Sequence, residues 1–116
     1  MDIRVVVAGA GGRMGHRVIS QINAAEDMTL SGALERPDYR ALGDDAGLQA
    51  GVGPLGVFLT EDAVSLEGDV AVSFAIPEAS VAHARLAEEK GMPLVIGTTG
   101  FSEDQLKIIE SCAENI

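Results

Sequence analysis

The sequence predicts an α/β fold, a doubly wound parallel sheet formed as a single domain by 116 residues. Short runs rich in Val, Ile and Leu alternate with longer stretches in which apolar residues recur at helical spacing. The first of these runs ends in a cluster of glycines immediately before a helical pattern. Aromatic residues make up only 3% of the chain, so small aliphatic side chains must fill the core, as is common in parallel sheets.

The first strand, residues 3–8, and the glycine turn behind it carry most of this prediction. Gly9, Gly12 and Gly15 have the spacing G-x-x-G-x-x-G, one residue longer than the common dinucleotide-binding motif. Gly9 would turn the chain, and Gly15 would let the helix pack closely on the strand. Gly11 or Gly12 would let the backbone approach a pyrophosphate at the helix N-terminus. The alternative is a glycine-rich turn that binds no ligand.

The helix behind the turn is predicted to bury one apolar stripe. Met14, Val18, Ile22 and Ala25 follow one another at spacings of four, four and three residues. His16 lies off that stripe, and no partner for it is apparent in the sequence. We therefore expect His16 to be an exposed helix residue rather than a catalytic one.

A second strand over residues 28–34 ends at an acid followed by an arginine. Glu35 stands twenty positions after Gly15, about where an acid accepts hydrogen bonds from the adenosine ribose in dinucleotide-binding folds. The guanidinium of Arg36 is suited to a ribose 2′-phosphate. An acid and an arginine side by side indicate a site that accepts both NAD and NADP. The alternative is that both side chains are solvated in a loop and bind no cofactor.

The middle of the chain has weaker patterns. Residues 37–55 predict a long loop with one short helical turn, and Asp44 and Asp45 are expected to be solvated because no metal-ligand spacing accompanies them. No metal site is predicted. A short third strand is expected over residues 56–60, with a brief helix over 61–66.

A strand–helix–strand unit follows. Residues 69–74 predict a fourth strand, and the next helix begins at Pro77 and ends at Gly91. His83 lies inside that helix, where an ordinary structural role is expected. Residues 94–96 predict the fifth strand.

The last helix has a clear start signal. Ser102 and Gln105 have the spacing of a capping box, and Leu106, Ile109 and Cys112 follow at helical spacing. Cys112 is the only cysteine, so an internal disulfide is excluded, and a small apolar filler is the expected role.

Charge and hydropathy limit the classes of partner. The net charge of −10 argues against a nucleic-acid surface, which needs a basic patch. The sequence has no leader-like start and no apolar run long enough to span a bilayer, so a cytoplasmic protein without a membrane partner is predicted.

Four segments follow predicted strands: residues 9–15, 35–36, 74–77 and 97–99. Ligands of doubly wound sheets bind at the carboxyl ends of the strands, and all four segments are expected at that edge. Their convergence predicts a Rossmann-type dinucleotide-binding site.

The residues that carry these features also resemble one enzyme family, 4-hydroxy-tetrahydrodipicolinate reductase (dihydrodipicolinate reductase). The resemblance spans the chain in order, through Val-Ala-Gly-Ala-Gly-Gly-Arg-Met-Gly (7–15), Ala-Leu-Glu-Arg (33–36), Ser-Phe-Ala-Ile-Pro-Glu (73–78) and Val-Ile-Gly-Thr-Thr-Gly-Phe (95–101). It implies an oxidoreductase of the diaminopimelate route to lysine. Such an enzyme transfers hydride from NADH or NADPH to a cyclic unsaturated dicarboxylate and is a homotetramer.

The resemblance also implies cofactor-binding roles for individual residues. Glu35 would bind the adenosine ribose, Arg36 the 2′-phosphate of NADPH, and residues 97–99 would lie near the nicotinamide. The complete set is Gly9, Ala10, Gly11, Gly12, Arg13, Met14, Gly15, Glu35, Arg36, Phe74, Gly97, Thr98 and Thr99.

Two departures from the family pattern limit what the resemblance implies. Ser73-Phe74-Ala75 stands where the family usually has Asp-Phe-Thr, which removes polar groups at a strand end. The family's His-His segment and catalytic lysine loop have no counterpart in residues 1–116. These residues are therefore expected to be the N-terminal cofactor domain, without the C-terminal substrate domain, without catalytic residues and inactive alone.

Two other functions are compatible with the glycine turn. One is a nucleotide-sensing or CoA-binding module that catalyses nothing, although the ribose-binding acid at Glu35 argues against it. The other is the cofactor domain of a different amino-acid-pathway dehydrogenase, such as one acting on homoserine or aspartate.

Overall fold

A computed structural model of the chain describes residues 2–114 and contains five strands and four helices in that range. Met1, Asn115 and Ile116, at the ends of the predicted domain, lie outside the described residues. The elements in chain order are β1 Ile3–Ala8, α1 Arg13–Ala24, β2 Met28–Leu34, α2 Ala46–Gln49, β3 Leu59–Thr60, β4 Val70–Ser73, α3 Pro77–Lys90, β5 Leu94–Ile96 and α4 Glu103–Ala113.

The strands form one parallel sheet in the order β3-β2-β1-β4-β5. The order runs outwards from β1 in both directions, so the topological switch point lies between β1 and β4, where ligands of such sheets bind. Val7 pairs with Ala33 of β2 and with Val72 of β4, which places β1 at the centre of the sheet. The predicted doubly wound α/β architecture is confirmed.

Helices cover both faces of the sheet. Successive side chains of a strand point to opposite faces. Val5 and Val7 therefore share a face and pack in the main core with residues of α1, α2, β2 and β3: Ile19, Ile22, Leu30, Ala33, Ala46 and Leu59. Val6 and Ala8 point to the other face and line a small apolar cavity of about 40 Å³ together with Leu86 and Ala87 of α3. None of the helices in the described part of the chain is long and apolar enough to span a bilayer.

The buried face of α1 matches the predicted stripe in part. Ile22 is buried and Val18 packs against the core, as predicted, whereas Met14 is 45% exposed. Gly15 and Ile19 are buried in addition, because the bare Cα side of Gly15 packs against the backbone of the preceding turn.

His16 lies next to the buried Gly15 in the first turn of α1. The residue is half-buried, and its Nε2 is a buried atom without a hydrogen-bond partner among the described residues. The prediction of an exposed helix residue is therefore wrong.

The helix predicted over residues 61–66 is wrong as well. That segment consists of turns, and β3 is shorter than its predicted range of 56–60. Thr60 Oγ1 accepts a hydrogen bond from the Asp62 amide at 3.1 Å, which closes a local turn and does not start a helix.

Asp45 was expected to be solvated, and the structure contradicts this. Its carboxylate is buried at the N-cap of α2 and accepts hydrogen bonds from four backbone amides, those of Gly47, Leu48, Leu55 and Gly56, at 2.8–3.2 Å. These donors, the Leu55 amide foremost, hold the pKa of Asp45 below its ordinary value, against the opposing effect of desolvation.

Other predictions for the loops and the last helix are confirmed. The long loop contains one helical turn, α2, and Gly91 ends α3 with a left-handed φ of 66°. The capping box of Ser102 and Gln105 is formed at the start of α4. Cys112 is buried as an apolar filler, and that burial raises the pKa of its thiol.

Candidate dinucleotide-binding site

The turn after β1 depends on Gly9. Its φ of 78° lies in the left-handed region that side-chain-bearing residues rarely adopt. A Cβ there would also stand about 3.0 Å from the backbone of Phe74, the residue that follows β4. Gly9 therefore allows both the sharp turn and the close approach of the β1 and β4 strand ends.

Gly15 has the close-packing position expected for the third glycine of the motif. A Cβ on Gly15 would collide with the carbonyl oxygen of Gly9 and with the backbone of Ala10. No flexible side chain is involved, so the collision could be relieved only by moving backbone. The residue holds the first turn of α1 against the end of β1.

Gly11 and Gly12 differ in what surrounds them. A Cβ on Gly11 would collide with the ring of Tyr39, whereas the nearest group to a Cβ on Gly12 is the Gly9 carbonyl oxygen at 3.5 Å. Gly12 is the exposed N-cap of α1, and no side chain there caps the helix. The backbone amides of the first helical turn, which begins with Arg13, are thus suited to an anion.

The acid and arginine after β2 lie directly beside this turn. Glu35 Oε2 accepts a hydrogen bond from the Gly11 amide at 2.8 Å, and the Glu35 side chain is only 9% exposed. Arg36 is 61% exposed, and its Nε lies 3.0 Å from a carboxylate oxygen of Asp38. The carboxylate therefore faces the glycine turn, while the guanidinium lies at the rim.

Tyr39 connects the two segments and was missed by sequence reasoning. Its hydroxyl donates to the carbonyl oxygen of Gly11 at 3.3 Å, and the Arg36 guanidinium carbon lies 5.4 Å from its ring centroid. Tyr39 is the only tyrosine of the chain and follows the acid–arginine pair by three positions, which is the one sequence signal that marked it.

The glycine turn and the acid–arginine pair border a cleft of about 460 Å³ between the carboxyl ends of the strands and α3. Three of the four predicted segments line it: the glycine turn through Gly9 and Gly12, the pair Glu35 and Arg36, and the segment beginning at Phe74. The convergence of these three segments on one edge is as the sequence analysis expected.

The fourth segment, residues 97–99, lies beside the cleft without lining it. Thr98 Oγ1 donates to the Ala75 carbonyl oxygen at 2.8 Å, and a Cβ on Gly97 would collide with the Phe74 ring. Thr99 is exposed. The segment therefore supports the wall formed by residues 74–75.

A buried polar chain begins at His83, for which sequence analysis expected only an ordinary helical role. His83 lines the cleft, and its Nδ1 lies 3.0 Å from Ser73 Oγ. From Ser73 the chain continues through Ser80 Oγ at 3.0 Å to Thr98 Oγ1 at 2.7 Å. The Ala75 carbonyl oxygen at the end of this chain can only accept a hydrogen bond. Thr98 therefore donates to Ala75, Ser80 to Thr98 and Ser73 to Ser80. The hydroxyl hydrogen of Ser73 is then used, so Nδ1–H of His83 donates to Ser73.

The same chain explains Ser73, at which the sequence departs from the family pattern. Ser73 is fully buried and directed into this network, so it connects the end of β4 to α3 through Ser80 and His83 and does not face the cleft. Burial lowers the pKa of His83, and the Glu35 carboxylate partly offsets that effect. Near neutral pH the uncharged imidazole of His83 is therefore the favoured form.

The sequence is similar to known proteins over nearly its whole length. Residues 3–116 match the family model described as dihydrodipicolinate reductase, N-terminus. A 4-hydroxy-tetrahydrodipicolinate reductase from Afipia carboxidovorans is 44% identical over 95% of this chain and 41% of its own length. The enzyme of that name from Magnetococcus marinus is 43% identical over all of this chain and 44% of its own length. The chain therefore spans about two fifths of the length of these relatives.

Solved structures show the same likeness in three dimensions. A dipicolinate-bound dihydrodipicolinate reductase from Paenisporosarcina sp. TG-14 superposes with a TM-score of 0.70 at 29% identity, over 98% of this chain and 44% of that one. An amine dehydrogenase from Mycobacterium smegmatis gives a TM-score of 0.68 at 27% identity, over 83% of this chain and 30% of that one. With the family model matched over residues 3–116, the chain belongs to the dihydrodipicolinate reductase family and corresponds to its N-terminal region.

Proposed function

We propose that this chain binds NADH and NADPH in the cleft and serves as the cofactor domain of a longer 4-hydroxy-tetrahydrodipicolinate reductase. One observation carries the proposal. The open side of Gly12, at the uncapped start of α1, and the carboxylate of Glu35 meet at the same cleft at the switch point of the sheet.

The residues present fit the parts of a dinucleotide. The pyrophosphate would lie over Gly12 and the first turn of α1, where backbone amides and the helix dipole favour negative charge. Glu35 would accept hydrogen bonds from the adenosine ribose. Its two oxygens each accept one backbone amide, from Gly11 and Arg36, and a carboxylate has about four acceptor positions, so capacity for hydroxyls remains.

Both cofactors are compatible with this arrangement. A ribose hydroxyl is recognised by the Glu35 carboxylate, whereas a 2′-phosphate is recognised by the exposed guanidinium of Arg36. Asp38 already pairs with that guanidinium and would reduce its attraction for a phosphate. We therefore propose dual use of NADH and NADPH rather than strict selection of NADPH.

The nicotinamide end would lie towards residues 97–99, and the position of Thr98 supports this. Its two hydrogen bonds fix the segment after β5 against the wall of the cleft. A bound reduced nicotinamide supplies the hydride. The cyclic unsaturated dicarboxylate, its proton donor and the contacts of a homotetramer belong, in this proposal, to the part of a longer protein that the relatives have beyond the matched region. A cytoplasmic location is part of the same proposal.

Calorimetric titration of the chain with NADH and NADPH tests the proposal. Glu35→Ala should weaken the binding of NADH by about 10-fold or more, because a hydrogen bond to a charged group contributes about 1.5–3 kcal/mol. Arg36→Ala should weaken the binding of NADPH and leave that of NADH nearly unchanged. Glu110→Gln, on the exposed side of α4, is the matched control and should change neither affinity. Equal binding by the wild type and Glu35→Ala would overturn the assignment of the ribose site.

A further inference from the structure

The segment after β2 contacts the glycine turn through two side chains, those of Glu35 and Tyr39. Its hydroxyl donates to the Gly11 carbonyl oxygen, while the Gly11 amide donates to Glu35. The amide and the carbonyl oxygen of Gly11 are thus both held by side chains, those of Glu35 and Tyr39 at the two ends of the segment 35–39. The ring fills the space that a Cβ on Gly11 would need, so Gly11 and Tyr39 fit each other as a pair.

Tyr39 also contacts Arg36. The guanidinium carbon lies 5.4 Å from the ring centroid, within the range of a cation–π interaction. An arginine that is 61% exposed has many rotamers, and the Tyr39 ring together with the Asp38 carboxylate restricts them, which lowers the entropy lost when the guanidinium binds a ligand. The ring therefore helps to hold the guanidinium at the rim of the cleft.

We propose that Tyr39 is a specificity-determining positioning residue: its ring places Arg36 for a ribose 2′-phosphate, and its hydroxyl places the glycine turn. This inference rests on the proposed binding of NADH and NADPH. The two functions of the side chain affect the cofactors differently. The contact of the ring with Arg36 matters only to the ligand that carries a 2′-phosphate, whereas the hydrogen bond of the hydroxyl to the glycine turn matters to both ligands, because both have the pyrophosphate.

Two substitutions separate these functions. Tyr39→Phe keeps the ring and removes the hydroxyl, so the affinities for NADH and NADPH should fall together by about 2–5-fold and their ratio should persist. Tyr39→Leu keeps apolar bulk but has no π face. It should lower the affinity for NADPH by about a further 5-fold relative to that for NADH.

The experiment is calorimetric titration of NADH and NADPH into the 116-residue chain as wild type, Tyr39→Phe, Tyr39→Leu, Arg36→Ala and the double variant Arg36→Ala/Tyr39→Leu. In the Arg36→Ala background, Tyr39→Leu should leave the NADPH/NADH affinity ratio unchanged, because the guanidinium that the ring positions is gone. Circular dichroism and thermal melting of each variant show whether the fold is retained.

The outcomes distinguish this inference from the proposed function. If the wild type binds both cofactors but Tyr39→Leu leaves the affinity ratio at the wild-type value, Tyr39 does not set specificity, and the proposed function stands. The same conclusion follows if the ratio changes equally with and without Arg36. If the wild type binds neither cofactor, the proposed function fails, and the inference fails with it. Should Tyr39→Leu unfold the chain, Tyr39→Met, which also lacks a π face, supplies the same comparison of ratios against Tyr39→Phe.

Discussion

At the scale of single residues, Gly12 and Gly15 occupy one turn but have opposite surroundings. Gly15→Ala should destabilise the fold by about 1–3 kcal/mol, because its Cβ would meet backbone atoms of Gly9 and Ala10. Gly12→Ala should change stability by less than about 1 kcal/mol, since its Cβ has space and its φ of −87° suits alanine. It should nevertheless lower the affinity for NADH by about 10-fold or more by obstructing the pyrophosphate.

Urea unfolding and calorimetric titration of both variants measure these two effects, and each variant is the control for the other. Equal losses of stability would contradict the packing assigned to Gly15. Undiminished binding of NADH by Gly12→Ala would place the pyrophosphate elsewhere.

The Asp45 carboxylate accepts hydrogen bonds from four backbone amides, and a pair of amide substitutions tests this network. Asp45→Asn leaves one carbonyl oxygen for four amides and should lower Tm by more than about 5 °C. Asp44→Asn is the matched control, because Asp44 is exposed and bonds a side chain, that of Gln49. Thermal melting of both variants is the measurement.

The pH dependence of the Asp45 effect follows from its lowered pKa. A carboxyl whose folded-state pKa lies below the ordinary value of 3.8 contributes its full stabilisation above pH 3.8. The contribution is lost as the pH falls through the folded-state pKa. The difference in Tm between the wild type and Asp45→Asn should therefore be constant near neutral pH and shrink below pH 3.8. A constant difference down to pH 2–3, roughly the range in which acid denaturation acts on carboxylates, would contradict this origin.

At the scale of elements, the connection between β3 and β4 forms no helix, and the side chain of Lys90 holds it in position. Lys90, the last residue of α3, donates from Nζ to the carbonyl oxygens of Ala63, Val64 and Leu66 at 2.5–3.4 Å. Ala63 also lines the cleft, so the lysine helps to position one wall of the candidate site.

Lys90→Met keeps the length and apolar stem of the side chain but loses these three hydrogen bonds. We expect a loss of about 1 kcal/mol in the free energy of unfolding and faster hydrogen exchange of the amides in residues 63–69. Lys107→Met on α4 is the control for the removal of a positive charge. Unchanged exchange in residues 63–69 would show that the segment is held by other contacts.

Sequence patterns predicted the strands and the glycine turn because those depend on local chemistry: β-branched runs, Gly9 at a positive φ, and the capping box at Ser102. They failed where contacts distant in sequence decide. Asp45 accepts hydrogen bonds from amides ten and eleven residues away, which its neighbours in the sequence do not indicate. The burial of Gly15 in α1 results from close backbone packing, which an apolar pattern does not report.

At the scale of the whole molecule, cofactor binding belongs in our proposal to this chain, and the substrate and its proton donor belong to the rest of a longer protein. The switch point of the sheet, the glycine turn and the acid–arginine pair lie within the described residues, and each serves the cofactor in our proposal. More than half the length of the relatives lies beyond the matched region. Hydride transfer requires substrate, cofactor and proton donor to be held together in one geometry.

The 116-residue chain should therefore bind NADPH without oxidising it when the cyclic unsaturated dicarboxylate is supplied. The loss of a positioned substrate should slow hydride transfer by at least about 1,000-fold relative to a full-length reductase of the family. Absorbance of the reduced nicotinamide measures turnover, and calorimetry on the same sample confirms that the cofactor is bound. Turnover near that of the full-length enzyme would place a substrate site within these residues. The wall formed by Phe74 and Ala75, which Thr98 supports, would then be the first place to look for it, since the proposed nicotinamide end lies towards it.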